Sequence, residues 1–223
     1  MSVRSIRSLA LCALAGVVFA PPLWAQAINI DFGEPGAGPP PSYGAAGQPG
    51  VWNSLRGDHG VTTPNLLGLD GQPTAVSLRQ IGGFDTPTVI DPDTSGNDAL
   101  LMDDYLVTFS PTLESCIYVD GLAPGRYEVL IYARMPNRPD VLSYTSVDQE
   151  PGVPYFEVGG TWPGAHEELI SYSRHVAVVG AGGDLDLHSG VPPGAIAANG
   201  AALNGLQIRP LDIFADGFES GPE

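Results

Sequence analysis

GLAPGRYEVLIYARMP, residues 121–136, is the stretch whose reading decides the fold. Pro124 sets φ for the second position of a tight turn, and Gly125 accepts a positive φ at the third, which predicts a type II turn. Beyond the turn the side chains alternate. Tyr127, Val129, Ile131 and Ala133 fall on one face, and Glu128, Leu130, Tyr132 and Arg134 on the other. The first face is apolar and is expected to pack on an opposing sheet. Two readings are open for the second. It is either a half-solvated outer face with a local Glu128–Arg134 pairing, or a concave binding face. The latter rests on the pairing of a ring to stack on with charged hydrogen-bonding groups, which suits a sugar.

Working outward, the same period recurs. INIDF (28–32), TAVSLRQI (74–81), DDYLVTF (103–109), CIYVDGL (116–122), VPYFEVGG (153–160), ELISYSRHVAVVG (168–180), DLDLHSG (184–190) and NGLQIRPL (204–211) read as strands. The 29 glycines and 22 prolines are spread along the chain and punctuate short strands, leaving little room for helices. The pattern predicts an all-β, antiparallel β-sandwich of jelly-roll type. GAGPPPSYGAAGQPG (36–50) is expected to be a long surface loop or a covering segment, extended in its proline-rich part.

The first residues read as an export signal. Arg4 and Arg7 precede an apolar run, and Ala25 and Ala27 flank Gln26 in a small-x-small pattern, so cleavage is expected after Ala27. The run is short and broken by Pro21 and Pro22, which argues against a membrane span. The organisation expected is a signal over 1–27, a sandwich domain over 28–211 and a flexible acidic tail over 212–223, in a secreted or periplasmic protein. The formal charge is −16, there is no lysine, and loss of the two leader arginines makes the chain more acidic still. Such a surface repels nucleic acid and anionic lipid, so neither partner is expected. With Cys12 in the leader, only Cys116 remains, no internal disulfide is possible, and the core is expected to carry stability without one.

Set in order, INIDFG (28–33), GLAPGRYEVLIYAR (121–134), YFEVGGTW (155–162) and AALNGLQIRPL (201–211) resemble malectin-like and galactose-binding-like domains. The resemblance spans nearly the whole exported portion. It implies an antiparallel sandwich of the sort found in extracellular carbohydrate-binding proteins and appended to glycoside hydrolases. The segment 36–53 departs from malectin's pattern, so the resemblance hands over no sugar-binding loop residue by residue. The ending PLDIFADGFESGPE (210–223) resembles short F-x-D-G-F-E endings of secreted proteins in some Gram-negative bacteria.

Several residues are candidates for chemistry. Trp162 sits in EVGGTWPGAHEE among Gly and Pro, so it belongs to a loop, where an aromatic beside acids suits stacking on a pyranose. Tyr155, Tyr132, Glu128 and Arg134 join it as candidate carbohydrate-binding residues. The competing reading has Trp162 plugging the end of the sandwich. In DPDTSGNDALLMDD (91–104), Asp91, Asp93, Ser95 and Asp98 follow the opening of an oxygen-ligand loop and are the candidate Ca²⁺ ligands, with a solvated acidic loop as the alternative. Met102 occupies the position where that loop's last carboxylate belongs. The histidines show no zinc spacing, no G-x-S-x-G is present, and no acid pair stands out for glycoside hydrolysis. The expected function is a secreted, non-catalytic module that binds an extracellular glycan or matrix. The alternative is a structural surface protein without a small ligand, stabilised by calcium.

Overall fold

The computed structural model describes residues 26–109, 115–147, 155–196 and 199–211. Residues 1–25, within the expected export signal, and 212–223, the expected acidic tail, lie outside the described residues. In chain order the strands are β1 (Ile28–Phe32), β2 (Trp52–Leu55), β3 (Thr62–Thr63), β4 (Ser77–Ile81), β5 (Phe84–Asp85), β6 (Leu106–Thr108) and β7 (Ser115–Asp120). They continue as β8 (Gly125–Tyr132), β9 (Ser143–Val147), β10 (Phe156–Val158), β11 (Tyr172–Val179), β12 (Leu185–Gly190), β13 (Ala201–Leu203) and β14 (Gly205–Pro210). Among the described residues a short α-helix, α1 (Gly96–Met102), lies between β5 and β6.

Alternation builds the main core. Ile28, Ile30 and Phe32 of β1, Tyr127, Val129 and Ile131 of β8, and Leu206 and Ile208 of β14 point inward from a five-stranded sheet ordered β11-β8-β14-β1-β2. They meet Leu78, Ile117, Val119, Val147, Leu185 and Leu187 of a six-stranded sheet ordered β10-β9-β12-β7-β4-β3. Two layers sealed by interdigitating aliphatic side chains make this an all-β sandwich. A three-stranded sheet, β13-β6-β5, closes one side over a small cluster that includes Tyr105, Val107, Met135 and Ala202.

One pairing departs from the antiparallel expectation. β2 runs parallel to β1, with Asn29 opposite Trp52 and Phe32 opposite Leu55, while the other strand pairs among the described residues are antiparallel. Parallel neighbours need a crossover, and here residues 33–51 supply it. This segment lies over the outer face of the five-stranded sheet, where Tyr43, Ala45 and Ala46 pack on Trp52, Leu130 and Tyr132. Backbone polarity is met on the way: the amides of Asn29 and Gln207 both donate to the Gln48 carbonyl, at 3.2 and 2.9 Å.

The second face of β8 is therefore neither half-solvated nor open. Leu130 and Tyr132 are fully buried in a second core, roofed by the 33–51 segment, by Leu101 and Met102 of α1, and by Trp162. The turn before β8 also differs from the sequence expectation. The positive φ falls on Gly121, at +84°, and not on Gly125, which is already the first residue of the strand. A Cβ on Gly121 would lie 2.5 Å from the Ala75 carbonyl oxygen, so the close approach as well as the conformation selects glycine there.

Candidate functional site

The second core gathers three of the residues singled out from the sequence. The Arg134 guanidinium reaches Asp91 at 2.6 Å, donates from Nε to the Gly160 carbonyl at 2.9 Å, and lies 5.7 Å from the centre of the Trp162 ring. Trp162 is 7% exposed and meets the His166 ring edge-on at 5.2 Å. The Tyr132 hydroxyl donates to Gln207 Oε1 at 2.6 Å and accepts from the Ala46 amide at 2.9 Å. Glu128, further along β8, is clasped by Arg174 of β11 and Arg209 of β14 rather than by Arg134. Tyr155 is half exposed but belongs to the other sheet, with its ring against Tyr144. The five candidates thus form no single surface; four of them are buried, and the polar groups of Tyr132, Arg134 and Glu128 are committed to the protein.

In the candidate calcium loop, Asp91 and Asp98 are likewise committed to other partners, while Asp93 and Ser95 are exposed. Burial pushes the Asp91 carboxyl up, but the amides of Asn137 and Asp93 and the Arg134 guanidinium outweigh it and hold the group below its ordinary value. Asp98 accepts from the Tyr43 hydroxyl at 2.6 Å, and that hydroxyl also lies 2.6 Å from His166 Nε2. The helix begins between Ser95 and Asp98, and Ser95 makes no side-chain cap. Among the described residues, no group of three or more His, Cys, Asp or Glu side chains is placed to hold a metal ion.

An open cleft lies elsewhere, at the end of the sandwich where β1, β2 and β5 terminate. Its volume is about 530 Å³, and it is lined by Glu34, Arg56, Asp85, Thr86, Pro87, Thr88 and Asp104. Glu34 follows β1, Arg56 follows β2, Asp85 ends β5, and Asp104 links α1 to β6. The half-exposed guanidinium of Arg56 pairs with Glu34 and lies 3.7 Å from Asp85. Desolvation pushes the Asp85 carboxyl up. Arg56 opposes that, while Asp104, Glu34 and Asp58 reinforce it. With three carboxylates and one guanidinium in its lining, the cleft is rich in acceptors. Beside Asp104, Asp31 is 1% exposed, and burial raises its carboxyl to about 7 against a hydrogen bond from Ser54, with Asp104 adding to the rise.

Sequence reasoning missed this cleft because its four charged residues come from four separate connections. One local signal was available. In INIDF the inward positions are Ile28, Ile30 and Phe32, so the alternate positions Asn29 and Asp31 mark the other face of β1 as polar.

No protein-family model matches the chain, and no curated protein aligns with it. Among solved structures, a D341A D367A calcium binding mutant of Bacteroides uniformis beta-glucuronidase 2 matches 85% of this chain and 18% of its own, at 12% identity and a TM-score of 0.46. A Bacteroides uniformis beta-glucuronidase matches 83% of this chain and 18% of its own, at 11% identity and a TM-score of 0.42. The enzymatically active domain of bacteriophage CBA120 tailspike protein 4 matches at 15% identity and a TM-score of 0.24. The chain spans less than a fifth of each of these proteins' lengths. The class is set by the coordinates themselves: a β-sandwich with one roofed outer face and a polar cleft at its end.

Proposed function

We propose that this chain is an exported, non-catalytic module that binds an extracellular glycan in the cleft lined by Glu34, Arg56, Asp85 and Thr88. The observation that carries the reading is the chemistry of the lining. Every cleft side chain except that of Pro87 bears a hydrogen-bonding group. Carboxylates accept from sugar hydroxyls, and the guanidinium fork and the Thr88 hydroxyl donate to ring and hydroxyl oxygens. The volume suits one or two sugar rings. The net acidity of the chain favours neutral or cationic glycans over anionic ones.

A holding role fits these residues better than a cleaving one. Glycoside hydrolysis needs one carboxyl kept protonated and a second left free across the scissile bond. Glu34 and Asp85 instead flank a single guanidinium. The malectin-like assignment is part of this proposal and is supported by the order of the sequence motifs and by the sandwich. A glycan array probed with the exported chain and with Asp85→Asn tests the reading. Saccharide signals that fall in the variant support it. Silence from the parent protein would favour a structural surface role.

A further inference from the structure

Beneath the cleft, three buried oxygens face no donor: Asp31 Oδ1, Asp104 Oδ1 and Asn204 Oδ1. Asp31 stands opposite Gly205 in the β1–β14 ladder, and the Phe32 amide donates to the Asn204 carbonyl at 2.9 Å, which brings Asn204 beside Asp31. The Asn204 side-chain amide donates to the carbonyls of Met102 and Asp104, at 2.9 and 3.1 Å. Those two bonds fix its nitrogen and turn its oxygen the other way. Asp104 packs on the backbone two residues after Asp31: a Cβ on Gly33 would fall 2.6 Å from Asp104 Oδ2. Asp31 and Asn204 are each at least 99% buried.

Unpaired buried polar atoms are rare and costly, and each calls for an explanation. Arg56 does not supply one, because its partners are Glu34 and Asp85. A shared proton would satisfy one carboxylate pair and leave the amide oxygen without a donor. A hard cation accepts lone pairs from all three oxygens at once, and Asp104 also lines the cleft, so water can complete the shell. We propose that Asp31, Asp104 and Asn204 form an oxygen-only site for a divalent cation of the calcium class. It is distinct from the acidic run at 91–98 and does not rest on the glycan reading. Two carboxylates match the charge of such an ion, and the mixed carboxylate–amide set with open positions favours Ca²⁺ over the stricter octahedron of Mg²⁺.

The test is thermal unfolding of the EDTA-stripped exported chain at pH 8, with CaCl₂ or MgCl₂ added and Tb³⁺ luminescence as a direct binding readout. The expected result is a saturable rise in Tm with a midpoint of about 0.1–1 mM Ca²⁺, as for extracellular oxygen-ligand sites. Mg²⁺ should be weaker. Asp31→Asn should abolish the rise and start from a higher Tm in EDTA, because it removes an uncompensated buried charge. Asp104→Asn should weaken binding at least about tenfold while keeping the fold, since it removes one of two charged ligands. Asp91→Asn should leave the midpoint unchanged. Absence of any Ca²⁺-dependent shift or Tb³⁺ signal, or a response retained in both Asp31→Asn and Asp104→Asn, overturns the proposal.

Discussion

Asp91 and Arg134 meet at 2.6 Å with both side chains 1% exposed, linking the loop before α1 to the strand end that carries the second core. A buried pair is costly to break from one side, because the survivor is left charged and unpaired. Asp91→Asn and Arg134→Met are each expected to destabilise the protein by about 3–5 kcal/mol. The double variant Asp91→Asn/Arg134→Met should lose less than the two changes summed. Denaturant unfolding of the four proteins in the cycle checks this, and additive losses would show that the two groups act independently.

Gly121 and Gly125 separate the observed turn from the expected one. Gly121→Ala places a Cβ 2.5 Å from a backbone carbonyl at a φ of +84°. It should lower stability by about 1–3 kcal/mol or more. Gly125→Ala meets nothing closer than 3.8 Å and has no positive φ, so its effect should be small. Comparable losses at both positions would restore the type II turn.

His166 and His175 set an acid limit on stability. Burial lowers both from 6.5 to about 4, with Asp98 partly opposing at His166. Between those values the unfolded chain binds protons that the folded chain refuses, so stability is lost as pH falls from 6.5 toward 4. Asp31 acts in the opposite sense. Its raised carboxyl binds a proton in the folded state between 3.8 and about 7, which favours folding at the lower end of that window. In EDTA, Asp31→Asn should therefore steepen the rise of stability with pH by up to about 1.4 kcal/mol per pH unit. Melting curves from pH 4 to 7 decide this; an unchanged slope would place the Asp31 titration elsewhere.

Ligand in the cleft should leave tryptophan emission nearly unchanged, because Trp52 and Trp162 are both 7% exposed and packed in the second core. A large shift on saccharide addition would instead bring the ligand to Trp162 and open the roofed face.

What the sequence made legible follows from what is local. The inward face of β8 reads directly from its period of two, and so does β1. The outward face of β8 does not, because Glu128 and Arg134 give it the composition of a solvated surface. Its cover, Tyr43 and α1, comes from distant parts of the chain. β9 and β13 were missed for a related reason. SYTSV and AAL lack large alternating apolar residues, and the buried hydroxyls of β9 are compensated by long-range bonds, such as Ser143 Oγ with the Ala202 amide at 2.8 Å and Thr145 with Ser173 at 2.7 Å. A seven-residue helix is shorter than the window over which helical periodicity can be judged. The acidic run drew attention to Asp91 by its density, yet a guanidinium 43 positions away neutralises it, while the isolated Asp31 is left with a bare oxygen.

The central claim is that the polar cleft holds a glycan. Isothermal titration of a saccharide recovered from the array, against the parent chain and Glu34→Gln/Asp85→Asn, tests it most directly, with unchanged circular dichroism as the control for folding. Saturable one-site binding that drops at least about tenfold in the double variant is the expected result, as for loss of two charge-assisted hydrogen bonds. Equal affinity in both proteins would contradict it.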